Sequence, residues 1–335
     1  MVCNGLNDSP YFTISRVSNF KTMHHHSISL ILFSICCSVC QSQSVFKVIP
    51  LGVKGGSDES NLSAYALAVN GTNAYVCLDA GTLHYGIEQA ITAKLLEGAE
   101  TEVLQNNLKG YLISHPHLDH VAGLILNSPD DSPKAIYGLP FCLEVIQEEY
   151  FNWKSWPNFG NQGEKPFLNK YHYVTLSTEE EIPLEHTSMY ARAFPLSHSN
   201  PHQSTAFLIR HAESYLLYLG DTGADAVEKS DKLHKLWEAI SPLIVSGKLK
   251  AIFIEVSFMN AQPDQLLFGH LTPRLLMNEM KILSQFSGGL REFPIVIMHM
   301  KPSGNREEII KEELHELNDL QLKLIFGEQA SLLEF

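Results

Sequence analysis

The sequence predicts an α/β protein in which two packed β-sheets are flanked on their outer faces by helices. Three observations carry this fold class. Short apolar strand-like runs open the chain, helix and strand patterns alternate further on, and the two halves follow similar plans. No Pro- or Ser-rich linker divides residues 41–335, and no repeat at solenoid spacing is visible, so this region reads as one domain.

Composition sets the frame. Of 335 residues, 44% are hydrophobic and 18% charged, as in soluble globular proteins. The formal net charge of −13 argues against gripping a nucleic acid polymer through a broad basic surface. A small anionic substrate stays open, because bound metal ions can supply local positive charge. Ser27 to Val39 forms an uncharged apolar run too short to span a bilayer comfortably. Ser38 and Cys40 stand where a signal peptidase prefers small residues before a cut at Gln41, and Arg16 and Lys21 supply charge upstream. Residues 1–40 are therefore expected to be a secretory signal peptide with an upstream extension, the true start lying at Met1 or Met23. An uncleaved anchor is the alternative. The mature chain is expected to be exported, periplasmic or secreted, without stable membrane insertion. The histidines at 24–26 fall in the removed segment and receive no role in the fold. So do Cys3, Cys36, Cys37 and Cys40, of which Cys40 fits a lipidation site poorly. Cys77 and Cys142 remain, either as one disulfide or as two buried thiols, and neither is read as a metal ligand.

The elements follow in order. Val45 to Leu51 reads as a first strand, and 52–60 as a turn-rich loop. Ser63 to Val69 and Ala74 to Asp79 read as strands joined through Asn70-Gly71, a dipeptide suited to a tight hairpin. Asp79 then stands either at a strand-end loop near a site or as a cap of a helix expected over Gly86 to Leu96. Tyr111 to Ser114 reads as a buried strand, Lys134 to Tyr137 as another, and Pro140 to Tyr150 as a helix. Residues 151–169 carry Trp153, Trp156, Phe159 and Phe167, which form a lid over substrate or, the reading preferred here, a satellite core. Runs at Tyr171 to Leu176, Ser188 to Leu196, Thr205 to His211 and Tyr215 to Leu219 are expected to make a second, mostly antiparallel sheet. Asp225 to Val245 reads as helix interrupted at Pro242. Strands at Ala251 to Glu255, Pro294 to His299 and, last, Leu322 to Phe326 alternate with helices at Pro273 to Phe286 and Arg306 to Leu317.

The chemistry concentrates in His115-Pro116-His117-Leu118-Asp119-His120. Three imidazoles and a carboxylate at the C-terminal end of a strand make a poor core and a good metal site. His115 and His117 sit two apart on an extended segment, so their rings can share a side. Asp119 and His120 lie where the chain turns into a helix and can face a second ion. Three other strand ends offer more donors: His198 after Phe194-Pro195-Leu196-Ser197, Asp221 after Leu217-Tyr218-Leu219-Gly220, and His299 after Ile295-Val296-Ile297-Met298. Singly, each has an ordinary alternative as a turn cap or exposed loop residue. Together they can occupy one common edge of the sheets.

This order resembles that of the metallo-β-lactamase-like hydrolases, whose fold is a four-layer αββα sandwich. The run from His115 to Pro129 is similar to the diagnostic stretch of the class II cyclic-nucleotide phosphodiesterases. So are Gly55-Gly56 with Glu59 and Asn61, Gly220-Asp221-Thr222, and Phe268-Gly269-His270-Leu271-Thr272-Pro273. The resemblance implies that His115, His117 and His198 hold one divalent ion, that Asp119, His120 and His299 hold another, and that Asp221 and a hydroxide bridge them. Zinc is the first expectation for the pair, with manganese or iron as alternatives.

The implied reaction is hydrolysis of 3′,5′-cyclic nucleotides, cyclic AMP first with cyclic GMP as a further substrate, to nucleoside 5′-monophosphates by that hydroxide. An alkoxide leaves poorly, so a general acid is expected. His270 is the candidate, with Glu255 orienting its imidazole and favouring the cationic form. By analogy, the related tRNA-processing endonucleases use a similar Glu and His pair. Asp119 counts with these two as catalytic as well as among the ligands. Competing expectations are hydrolysis of a lactone, a thioester or an RNA phosphodiester, and a non-catalytic metal-binding protein. RNA fits poorly with the acidic balance and export, and the non-catalytic case predicts a lost ligand, whereas the set is complete. Base preference and oligomeric state leave no mark in the sequence.

Overall fold

The computed structural model describes residues 44–335, and the expected signal peptide lies outside them. The first sheet is built from β1 (Phe46–Gly52), β2 (Ala64–Val69), β3 (Tyr75–Leu78), β4 (Leu108–Leu112), β5 (Lys134–Gly138) and β6 (Tyr171–Thr175). The second takes β7 (Ile182–Pro183), β8 (Tyr190–Ser197), β9 (Gln203–His211), β10 (Ser214–Leu219), β11 (Leu249–Glu255), β12 (Pro294–Met298) and β13 (Lys323–Phe326). A short β14 (Leu333–Glu334) then returns to the edge of the first sheet, beside β1. The two sheets share one plan. Strands β1 to β3 and β7 to β10 pair antiparallel, whereas β3 to β6 and β10 to β13 pair parallel.

Period-two alternation builds the layers. Phe46 and Val48 of β1, Tyr65 and Leu67 of β2, Leu216 and Tyr218 of β10, and Phe253 of β11 meet between the sheets. Their neighbours face outward. Ile49, Leu51, Cys77 and Tyr111 pack under α1 (His84–Thr92), α2 (Glu100–Asn106), α3 (Leu118–Asn127) and α4 (Pro140–Val145). Beyond the short α5 (Asp225–Glu228), Leu217, Leu219, Ile252 and Ile254 pack under α6 (Lys232–Val245), α7 (Pro273–Ser287) and α8 (Arg306–Glu316). The order helix, sheet, sheet, helix is the expected αββα sandwich. At its far end β1 and the last residue are stitched together. Phe46 N donates to Phe335 O at 2.9 Å, Phe335 N donates back to Phe46 O at 3.0 Å, and the Phe335 ring meets Phe253 of the other sheet edge-on at 5.6 Å.

Several expectations are corrected. The run at 171–176 belongs to the first sheet, where β6 pairs parallel with β5 from Lys134↔Tyr171 to Gly138↔Thr175. An apolar run announces a strand but not its partner, and α4 supplies the crossover that a parallel neighbour needs. The first helix begins at His84 and ends at Thr92, closed by Lys94 in the left-handed region at φ 61°. Helix α2 was not anticipated, since it is short and buries only Val103 and Leu104. The break in 225–245 lies at 229–231, where Lys229 is left-handed at φ 54°. Pro242 instead continues α6 near its end. The Glu238 carbonyl, which would have taken the missing N–H, accepts the Ser241 hydroxyl at 3.0 Å. The 63–79 hairpin forms, but through residues 70–74, its turn closed by Thr72 N on Val69 O at 3.1 Å. The last strand is β14, not the run at 322–326.

Two open choices resolve. Of the four aromatics expected to pack in 151–169, Phe159 is buried and Trp156 packs beside it and Phe151 in the layer outside the first sheet, whereas Trp153 is exposed, so only part of the stretch is a satellite core. Cys77 and Cys142 are both buried and unpaired, and burial pushes both thiols upward in pKa. No helix among the described residues is long and apolar enough to cross a membrane.

Candidate metal centre

All seven expected ligands meet at one edge of the sandwich, each just beyond the C-terminal end of a strand. His115 and His117 lie on the extended segment between β4 and α3, and Asp119 and His120 occupy the first turn of α3. His198 follows β8, Asp221 follows β10 and His299 follows β12, so the two sheets contribute to one cluster. Donor atoms of His115, His117, His198 and Asp221 lie within 4.8 Å of one another, as do those of Asp119, His120 and His299. Asp221 is central. Its Oδ2 stands 3.4 Å from Nε2 of both His120 and His299, 3.6 Å from Nε2 of His115 and 3.8 Å from Nε2 of His198. His115, His120, His198, Asp221 and His299 are buried, whereas His117 and Asp119 are partly exposed at the mouth.

What lies behind the rings fixes which nitrogen faces inward. His120 Nδ1 donates to Asp79 Oδ2 at 2.8 Å, and His198 Nδ1 donates to the Gly269 carbonyl at 2.9 Å. Those acceptors place the ring proton on Nδ1, so Nε2 of each presents a lone pair to the centre. Nε2 of His120 and of His299 approach to 3.1 Å, and Nε2 of His198 stands 3.3 Å from Nδ1 of His117. Convergent lone pairs at such distances repel one another unless a cation lies among them. The donors are imidazole nitrogens and carboxylate oxygens, the set that zinc, manganese and iron accept. The residues present fit divalent metal binding.

Electrostatics point the same way. Burial opposes charge on the imidazoles of His115, His117 and His198 and holds all three low, His198 at about 4. At Asp221 burial opposes ionisation, yet His299, His120 and His270 outweigh it and hold the carboxyl well below the usual range. Asp119 behaves alike, burial being overcome by His120 and His299. His120 is the exception: burial opposes its charge, but Asp221, Asp79 and Asp119 raise it. Anionic Asp119 and Asp221 beside neutral His115, His117 and His198 are what a cation needs.

The sequence left Asp79 between a strand-end loop near a site and a helix cap; it stands at the site, directly behind His120, and caps no helix. Fully buried, it accepts from Ser114 N at 2.7 Å, Ser114 Oγ at 2.8 Å, Tyr218 Oη at 2.7 Å and His120 Nδ1. Its only sequence signal was a carboxylate directly after a buried strand. Gly55 and Gly56 also have a physical reason. Gly56 N donates to Asp119 Oδ2 at 2.8 Å, and a Cβ at Gly55 would stand 2.2 Å from the His299 ring. A π-helical turn over Ile146–Tyr150 brings the Tyr150 hydroxyl onto the Pro116 carbonyl at 2.8 Å, fastening the segment between His115 and His117.

The expected acid pair adjoins this cluster. Glu255 ends β11, His270 precedes α7, and both are buried. His270 Nδ1 lies 2.8 Å from Glu255 Oε1 and 3.7 Å from Asp221 Oδ2, and its ring stacks on His299 at 5.4 Å. Sequence reasoning missed Ser257, whose hydroxyl sits among Glu255, His270 and His299.

Fold and centre together define a metallo-β-lactamase-fold protein. The structure superposes on the metallo-beta-lactamase fold protein YhfI from Bacillus subtilis with a TM-score of 0.59 at 15% identity, covering 87% of this chain and 99% of that one. Against unliganded yeast PDE1 the TM-score is 0.78 at 23% identity, covering 87% of this chain and 100% of that one. Both likenesses concern the fold. The sequence narrows it further. The family described as cAMP phosphodiesterases class-II matches residues 96–325, and the chain belongs to that family. It is 43% identical over 326 residues to a 3′,5′-cyclic-nucleotide phosphodiesterase of Aliivibrio fischeri, covering 91% of this chain and 98% of that protein.

Proposed function

We propose that this chain hydrolyses 3′,5′-cyclic nucleotides, both cyclic AMP and cyclic GMP, to nucleoside 5′-monophosphates with the help of two divalent ions. The observation that carries this reading is the junction of the seven donors with the Glu255–His270 pair, which share Asp221 as neighbour. His115, His117 and His198 would hold one ion, Asp119, His120 and His299 the other, and Asp221 would touch both. Bound there, the ions would supply a water activated at neutral pH and a positive field for the phosphodiester. Zinc is the first choice, and the same donors accept manganese or iron.

The chain's own residues do the rest. Glu255 accepts the Nδ1 proton of His270, which leaves Nε2 as the atom that hands a proton to the departing 3′-oxygen. Such an acid contributes about 10²–10⁴-fold. Asp119, fixed by the Gly56 N–H, stays an acceptor throughout. A lactone or thioester would give the Glu255–His270 pair no comparable task. The apolar run at Ser27 to Val39 supports export to the periplasm or medium as part of the same proposal.

The test uses purified protein loaded with Zn²⁺, its metal content measured, and both cyclic nucleotides. The expected product is the 5′-monophosphate of each, and absence of any monophosphate from loaded protein sinks the proposal. His270→Ala is expected to lower kcat by about 10²–10⁴-fold with metal content unchanged. Full activity in that variant would remove His270 from the acid role. Cell fractionation checks export, which activity confined to the cytosol would refute.

A further inference from the structure

The segment after β11 carries a fully buried hydroxyl at the meeting point of the acid pair and the metal cluster. Ser257 Oγ lies 2.8 Å from Glu255 Oε2, 2.9 Å from His299 Nδ1, 3.1 Å from His270 Nδ1 and 3.1 Å from the His299 carbonyl. It is 0% exposed, so water cannot substitute for any of these partners. A serine hydroxyl has one proton to give and two lone pairs to offer. Glu255, as a carboxylate, only accepts, and the shortest of the four contacts is to its Oε2. The serine proton therefore goes there. The lone pairs of Oγ then face His299 Nδ1, which must bring its own proton to that contact. His270 Nδ1 already has a nearer acceptor in Glu255 Oε1 at 2.8 Å.

On the footing of the function proposed above, we propose that Ser257 is a positioning residue that sets the tautomer of His299 and ties it to the acid pair through Glu255. The relay runs from His299 Nδ1–H to Ser257 Oγ, and from Ser257 Oγ–H to Glu255 Oε2. His299 Nε2 is thereby left without a proton, facing His120 Nε2 and Asp119 Oδ2 at 3.1 and 3.2 Å as a metal-ligating nitrogen must. Glu255 in this arrangement serves two imidazoles with its two oxygens, His270 directly and His299 through the serine. One carboxylate thus orients both the proton donor and a ligand of the second ion. His115, His120 and His198 have separate partners on Nδ1, in Ser114, Asp79 and Gly269, so the loss of Ser257 is local to His299 and Glu255.

The test reads metal binding without any nucleotide, which separates failure of this inference from failure of the proposed activity. Apo protein is titrated with Zn²⁺ against a chelating dye in the wild type, Ser257→Ala and Ser257→Cys, with circular dichroism confirming the fold. Ser257→Ala is expected to weaken uptake at one of the two sites by about 10–100-fold, with the thiol of Ser257→Cys in between. A lowered melting temperature with unchanged Zn²⁺ affinity in Ser257→Ala would mean a merely structural serine and overturn the proposal. A measurement on the unmutated protein does not depend on the variants folding. In Zn²⁺-loaded wild type, ¹⁵N–¹H spectra of the imidazoles are expected to show the ring proton of His299 on Nδ1, and a proton on Nε2 would overturn it.

Discussion

At the scale of single residues, the centre depends as much on what stands behind the ligands as on the ligands. Asp79 is the clearest case, because it collects four donors and returns none. Asp79→Asn turns one of its oxygens into a donor that faces donors. It is expected to weaken Zn²⁺ affinity by about 10–100-fold, measured by dye competition. Tyr218→Phe removes only one of the four donors. It should cost about 1 kcal/mol in urea unfolding while leaving Zn²⁺ affinity near that of the wild type. Equal losses of affinity in the two variants would contradict this ranking. The difference explains what could be read beforehand. His198, Asp221 and His299 were legible because each directly follows an apolar strand, and the other four because they crowd into one run between β4 and α3, so local pattern alone announced polar residues at a sheet edge. Tyr218 lies 139 positions from Asp79, and Ser257 lies 42 from His299, so those roles exist only once the sheets have packed.

At the scale of elements, the strands were legible and their partners less so. Hydrophobic runs mark a strand equally well in either sheet, which is why β6 was expected in the wrong one. Helix ends were misjudged where left-handed Lys94 and Lys229 close a turn without the glycine that usually signals it. The junction of α5, α6 and α7 carries a testable charge. Glu279 is buried, with Trp237 Nε1 donating to its Oε2 at 3.0 Å and Asp225 N to its Oε1 at 3.2 Å. Burial, only partly offset by the indole, raises its pKa above the ordinary carboxyl value of 4.5. A raised acid favours the fold most in its neutral form. That contribution is whole below the unfolded pKa and is lost as pH rises through the folded one. Glu279→Gln loses one accepted bond but carries no charge at any pH. Its deficit against wild type is therefore expected to be larger near pH 4 than near pH 8 in chemical denaturation, and a deficit independent of pH would contradict the assignment.

At the scale of the whole molecule, two sheets of the same plan place their parallel halves so that strand ends from both converge on one centre. The αββα layering was legible because alternation survives in almost every strand, as in Tyr65 and Leu67 against Ala64, Ala66 and Ala68. The ligands straddle the two sheets, so a metal bound there holds native packing that the unfolded chain lacks. An ion at 100 times its dissociation constant stabilises by about 2.7 kcal/mol. Zn²⁺-loaded protein is therefore expected to melt at a higher temperature than protein stripped with a chelator, by a margin that grows with free Zn²⁺. A melting temperature indifferent to Zn²⁺ would mean that the donors do not bind it in the folded state.

The stitched pair Phe46 and Phe335 sits at the opposite end of β1 from Val53, whose carbonyl receives the His299 amide at 2.8 Å. Seven strand residues separate the two ends of β1 by about 20 Å. The two ends of the described chain therefore stand side by side and away from the mouth. Such a layout lends itself to circular permutation, with residues 44 and 335 joined by a short linker and new ends opened in the exposed stretch 162–165. It also makes a support grafted at residue 335 a mild intervention, since the immobilised molecule would keep its mouth turned to solution.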